Sequence, residues 1–238
     1  MTFSIVARCP RTGMSGVAVS TAVPAVGAIC AFGAPGVGSI ATQSWANPYL
    51  GIDGVELLRQ GLSATEVLDR LIGEDPGRDM RQVGIVDGQG EVAVHSGASC
   101  TSWFGHTTGA GYSIQGNMLT GGDTLEAMKN SFESTADADL PERLVSALEA
   151  AQSVGGDKRG RQSAAMKIYA REEYPYLDLR VDEHPEPVAE LRRVYEVARH
   201  QLLPFIAMMP TRNDPIGGHN YEVEQFILLS PQERAARS

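Results

Sequence analysis

The stretch TFSIVARCPRTGMSGVAVS, residues 2–20, decides how the rest of the chain is read. Phe3, Ile5 and Val6 suit a pleated, partly buried surface, and so does SGVAVS at 15–20, with the turn-rich RCPRTGM between them. The pattern predicts an N-terminal β-hairpin with strands at 3–7 and 15–20. The chain enters its core at once, with a threonine directly after the first methionine.

Working outward, AVGAICAFGAPGVGSIATQ at 25–43 mixes small and apolar residues with Gly and Pro. It predicts a buried strand, a turn and a second strand with closely approaching backbones. Ser63 and Glu66 have capping-box spacing, and Val67, Leu68, Leu71 and Ile72 follow on one helical face. Asp123 and Glu126 resemble the same start signal ahead of Leu125, Met128 and Phe132, and a companion helix carries Leu144, Val145, Leu148 and Ala151. Between these helical blocks, QVGIVDGQGEVAVHSG at 82–97 alternates around Asp87-Gly88, a hairpin signal, and further strands are expected at 112–116 and 164–170. Pro187 stands where a first-turn proline belongs, and Val188, Leu191, Tyr195, Ala198 and Leu202 recur at helical steps after it. Strand blocks and helix blocks in this order predict an α+β protein, two antiparallel sheets packed together and covered by helices, rather than strict βαβ alternation.

Composition narrows the partners. The 238 residues carry a formal net charge of −9, with Lys and Arg scattered rather than gathered into a stripe, which argues against nucleic acid or an anionic membrane as main partner. No window approaches the roughly 18 apolar residues of a membrane span, and no secretory signal pattern opens the chain, so a cytoplasmic location is expected. Cys9, Cys30 and Cys100 form no CxxC and read as reduced core residues. His95, His106, His184, His200 and His219 lie far apart in no metal-binding spacing, and no phosphate-binding GxGxxG occurs, so neither a metal nor a cofactor is expected. The segment 201–238 is too apolar for a loose tail and is expected to pack on the domain or on a neighbouring subunit, with a homodimer as the expected assembly.

Thr2 reads either as a small residue after a start methionine or as the candidate for chemistry. Once Met1 is removed, a terminal threonine holds a hydroxyl and an α-amine that titrates at about 7.7–8.0, so one residue supplies both nucleophile and base.

The stretches TFSIVARCPRTGMSGVAVS, GVGSIATQSWANPYLGIDGVELL, DPGRDMRQVGIVD, YSIQGNML, GGDKRGRQSAA and VDEHPEPVAELRRVYE together resemble the DUF1028 family, grouped with the N-terminal nucleophile (Ntn) hydrolases. The resemblance runs from residue 2 to about residue 200. It implies an Ntn-hydrolase-like domain at 1–200 with a four-layer αββα sandwich, and cleavage of a small amide by Thr2 without a cofactor. Asp157 and Ser163 are similar to the acidic and hydroxyl pair of the proteasome-type pattern, with Arg161 expected to hold Asp157. The lysine of that pattern has no counterpart in VPAVGAICAFGAPGVG, which leaves Arg161 or Arg81 to tune the amine. Oxyanion donors are sought in the Gly36 and Gly38 backbone or in Asn117 and Gln115, which lie two apart and therefore on one face of a strand. Gln43, Asn47 and Trp45 are expected to line the substrate cleft, although Asn47-Pro48 also reads as a helix cap. The alternatives are Ser4 or Cys9 as nucleophile after further trimming, or a non-catalytic binding or assembly protein that keeps Met1.

Overall fold

The computed structural model describes residues 2–237. Met1, whose removal the enzyme reading requires, lies outside them. The hairpin of the opening stretch forms as expected, with β1 (Thr2–Arg8) antiparallel to β2 (Ser15–Thr21). There follow α1 (Gly27–Cys30), β3 (Ala31–Ala34) and β4 (Gly38–Ser44), then the helices α2 (Pro48–Arg59) and α3 (Ala64–Glu74). The second strand block comprises β5 (Arg81–Asp87), β6 (Val92–Ser96), β7 (Gly105–Gly109) and β8 (Tyr112–Asn117). Helices α4 (Asp123–Ser134) and α5 (Leu140–Ser153), strands β9 (Ser163–Tyr169) and β10 (Leu177–Val181), and helix α6 (Pro187–Gln201) complete the series.

The strands form two antiparallel sheets, ordered β10-β9-β2-β1-β8-β7 and β3-β4-β5-β6. Helices α2 and α3 cover the smaller sheet, α4 and α5 cover the larger one, and the sheets pack face to face, giving a four-layer αββα sandwich. Alternation along each strand sorts the cores. Val6, Val17, Val19, Ala41, Val86 and Ala165 fill part of the space between the sheets. Ile40, Val83 and Ile85 turn the other way, onto Leu50, Leu58, Val67 and Leu71 of α2 and α3. On the opposite side Phe132 of α4 packs on Tyr112, with the Arg143 guanidinium 3.8 Å from its ring centre.

Local signals set the helix starts. Ser63 and Glu66 form the reciprocal capping box expected of them. Asp123 does not cap α4: it is the first helical residue, and Gly122 holds the cap position without a side-chain bond. The strand, turn and second strand expected within 25–43 form as β3, the turn at 35–37 and β4; ahead of them Ala25 turns into left-handed backbone at φ 56 and the chain coils for one unforeseen turn, α1.

The chain divides into two compact units, residues 1–191 and 192–238. The second contains the end of α6 with α7 (Leu203–Ile206), α8 (Tyr221–Leu228) and α9 (Pro231–Ala235). Asn220 caps α8, and Ser230 with Glu233 forms a second capping box.

Gly51 tests how tightly α2 sits on its sheet. A β-carbon there would stand 2.1 Å from a Phe32 ring atom. Alanine is favoured over glycine inside a helix by about 1 kcal/mol, yet overpacking costs about 1–3 kcal/mol. Gly51→Ala is therefore expected to lower the urea midpoint rather than raise it.

Candidate active site

At the end of the sandwich where β1 begins, every strand of the site turns a polar side chain toward the opposite sheet. Ser163, Thr21, Thr2 and Asn117 form one row across β9, β2, β1 and β8. Gln43, Gln82 and Ser96 form the facing row across β4, β5 and β6. Ser4 and Gln115, paired one step further in, make the next row of the larger sheet.

Apart from the half-buried Ser96 these groups are buried, and they satisfy one another in a single direction. Ser113 Oγ donates to Gln115 Oε1 at 2.7 Å, Gln115 Nε2 to Ser4 Oγ at 2.6 Å, and Ser4 Oγ to Gln43 Oε1 at 2.7 Å. Gln43 Nε2 then donates to Gln82 Oε1 at 2.8 Å, and Gln82 Nε2 to Ser96 Oγ at 2.8 Å. Ser96 Oγ lies 2.9 Å from His106 Nδ1. With its ring proton on Nε2, His106 takes the Ser96 proton at Nδ1 and continues the row. Asn117 Nδ2 joins the row at Gln82 Oε1, 3.0 Å away. Gly84 is required beneath the row, since a β-carbon there would meet Gln115 Oε1 at 2.4 Å.

A cleft of about 230 Å³ opens onto this polar layer. Thr2, Thr21, Thr42, Gln43 and Asn117 form its polar side, and Val23, Val26, Ile29, Trp45 and Met118 its apolar side. Thr2 is 7% exposed, with its Oγ1 3.2 Å from Thr21 Oγ1 and its carbonyl accepting from Gln43 Nε2 at 3.4 Å. Cys30 also lines the cleft, but burial pushes its thiol up to about 12, so it is a neutral wall rather than a thiolate. Arg159 is the ionised side chain among the described residues of the lining.

Backbone strain gathers at the same place. Among the described residues, Ala25, Ser44 and Met118 are the non-glycine positions with positive φ, at 56, 72 and 52. Ser44 and Met118 line the cleft, and Ala25 lies between Val23 and Val26, which also line it. Such conformations cost about 1–3 kcal/mol each and cluster where a site requires a particular backbone course.

The expected site residues separate into two groups. Thr2, Asn117, Gln43 and Trp45 meet at the cleft. The others are engaged elsewhere. Asp157 is a buried clamp on the end of β2, accepting from the Ala22 N–H at 3.1 Å, the Arg159 N–H at 2.8 Å and Arg159 Nη2 at 3.3 Å. Its guanidinium partner is thus Arg159, whereas Arg161 pairs with Glu186 on the surface. Ser163 is fully buried, donating to the Val23 carbonyl at 2.6 Å and accepting from the Val26 N–H at 3.2 Å, so it fixes the wall segment instead of facing the cleft. Gln115 lies inside the polar row, out of reach of the cleft. Arg81 holds Asp75 at 2.8 Å and the Trp45 carbonyl at 2.6 Å, which makes it a brace for the rim. Asn47 accepts from the Tyr49 N–H at 3.1 Å and caps α2. Gly36 and Gly38 stand at the opposite end of β4 from Gln43, too distant to serve Thr2. Of the alternative nucleophiles, Ser4 is consumed by the row and Cys9 follows the far end of β1. Among the described residues no group of three or more His, Cys, Asp or Glu side chains is placed to hold a metal ion, and no helix is long and apolar enough to cross a membrane.

Sequence reading missed Thr21, Gln82 and Arg159. Thr21 was reachable: it continues the inward series Val17, Val19 by one further step of two.

Fold and site together define an αββα protein whose first strand delivers a threonine hydroxyl to a cleft between two sheets. The chain belongs to DUF1028, a family of unknown function whose model matches residues 2–191. A crystal structure of protein SPO2555 from Silicibacter pomeroyi, of the same family, is 30% identical, with a TM-score of 0.83 over 92% of this chain and 99% of that one. Two further solved structures show slighter likeness that bears no weight here. The Anbu (ancestral beta-subunit) from Yersinia bercovieri is 15% identical over 87% of this chain and 98% of that one, with a TM-score of 0.38. HslV from Trypanosoma brucei is 11% identical over 71% and 99%, with a TM-score of 0.39. No curated protein matches the chain.

The directed row makes stability depend on His106. His106 is exposed at the end of the row, and partial desolvation, then the nearby His95, hold its pKa below the ordinary imidazole value; Glu126 and Lys129 of α4 share its pocket. The unfolded chain therefore takes up the proton first as pH falls below about 6.5, and stability, fully present above that value, declines. Thermal unfolding from pH 8 to 5 is expected to show this decline. His106→Asn, whose amide oxygen can accept from Ser96, is expected to flatten it.

Proposed function

We propose that the chain is an amidohydrolase of the N-terminal nucleophile type that cleaves a small amide with Thr2 after Met1 is removed. The observation that supports this reading is the position of one hydroxyl. Thr2 Oγ1 stands in the cleft on a strand paired at both edges, 3.2 Å from the Thr21 hydroxyl.

In this mechanism the freed α-amine of Thr2 takes the proton of its own Oγ1, which attacks the amide carbon. One N–H of Asn117 Nδ2 is held by Gln82, and the second meets the oxyanion as it forms. Collapse breaks the C–N bond, and the leaving amine departs with the proton held by the ammonium. Water then attacks the acyl-enzyme, releasing the acid and restoring the Thr2 hydroxyl. Thr21 orients the nucleophile. Asp157 and Ser163 act at one remove, fixing the end of β2 and the 22–26 wall. Arg159, paired with Asp157, lines the same cleft.

Intact mass of the protein from its own host is expected to lack Met1. Thr2→Ala is expected to lower turnover of a panel of small amides by at least about 10³-fold while its circular dichroism stays unchanged. Retention of Met1 in the mature protein, or equal turnover by both proteins, overturns the proposal and leaves a non-catalytic binding protein.

A further inference from the structure

Exposed apolar side chains in residues 2–191 are unevenly distributed. The large ones are Val23, Ile29, Trp45, Tyr49, Ile52, Met80, Trp103 and Val154. Val23, Ile29 and Trp45 line the cleft itself. The Trp45 N–H is bonded to the Met80 carbonyl at 3.3 Å, and Tyr49 and Ile52 stand on the first turns of α2, which packs against α1, the helix of Ile29. Three of the eight thus line one opening, and Met80, Tyr49 and Ile52 belong to segments that contact its walls. Trp45 is 66% exposed and Ile29 40%, apolar surface placed where the cleft meets solvent.

The inner end of the same cleft is polar, with the Thr2 and Thr21 hydroxyls and the Asn117 amide. An occupant that satisfies both ends is amphiphilic. The opening is concave, so a flat protein surface laid over the collar would leave those hydroxyls and that amide uncovered. We infer that the cleft binds amides that carry a flexible apolar acyl chain, the chain seated in the Val23–Ile29–Trp45 collar and the amide at Thr2. The chemistry of this inference rests on the hydrolase reading; the binding does not.

The test measures dissociation constants for N-acetyl-, N-butyryl-, N-hexanoyl- and N-octanoylglycine by calorimetry in the Thr2→Ala background, where turnover cannot intrude. Burial of the chain is expected to tighten binding about two- to fourfold per added methylene. Trp45→Ser and Ile29→Asn are surface changes whose folding is checked by unchanged thermal midpoints, and both are expected to flatten the series. Equal affinity along the series, or no binding by any member, overturns the inference. So does a Trp45→Ser variant that changes the oligomeric state by sedimentation and leaves the affinities untouched, since the collar would then be a contact between copies. Chain-length-dependent binding with no hydrolysis by the wild type sinks the hydrolase reading alone. Hydrolysis of the acetyl and octanoyl compounds with equal KM sinks the acyl-chain inference alone.

Discussion

The structure depends on a file of polar side chains sealed between two sheets. Opposed sheets normally exclude such groups, because each buried donor or acceptor left unpaired costs about 1–3 kcal/mol. Here Ser113, Gln115, Ser4, Gln43, Gln82 and Ser96 pass hydrogen bonds along in one sense, and the apolar residues Val6, Val17, Val19 and Val86 fill the rest of the layer. The file does more than avoid a penalty. Gln43 reaches the Thr2 carbonyl and Gln82 holds Asn117, so the register of the two sheets and the position of the cleft groups are set by the same bonds. Protein interiors strengthen such bonds and couple neighbours, which is why the members are expected to act as a unit.

Much of the fold could be read from the chain, and the reasons differ by element. β1, β2, β5, β8 and β9 announce themselves through apolar alternation, and α3 through its capping box. β7, with the sequence GHTTG, has no apolar residue and forms because β8 offers it an edge to pair with, a tertiary cause that no local pattern carries. β10, LDLRV, alternates in sequence as it does in burial, so its pattern is local. The helical turn α1 was not legible, since it follows from the backbone at Ala25 and from the Ser163 hydroxyl that receives the Val26 N–H across 137 residues.

The site was legible where chemistry is local to a residue and hidden where it depends on pairing. Thr2 stands out by its position together with the family resemblance, and Asn117 and Gln43 by amide type once that resemblance supplies the fold. The acidic and serine residues at 157 and 163 were found as a pair, but their work is to secure the chain beside the cleft rather than to face it. Which arginine meets Asp157 turned on a difference of two positions in a tight turn, where Arg159 folds back and Arg161 points to Glu186.

β1 lies near the middle of its sheet, bonded to β2 on one edge and β8 on the other. A hydroxyl mounted there has no freedom to travel, so admission and departure of a guest fall to the walls: the single-turn α1 with its left-handed approach, and the segment that carries Thr101. Residence time in the cleft becomes a property of wall residues held by side-chain bonds from Asp157 and Ser163 and, at Thr101, by the Met118 N–H, which are open to change without disturbing the strand on which the hydroxyl stands.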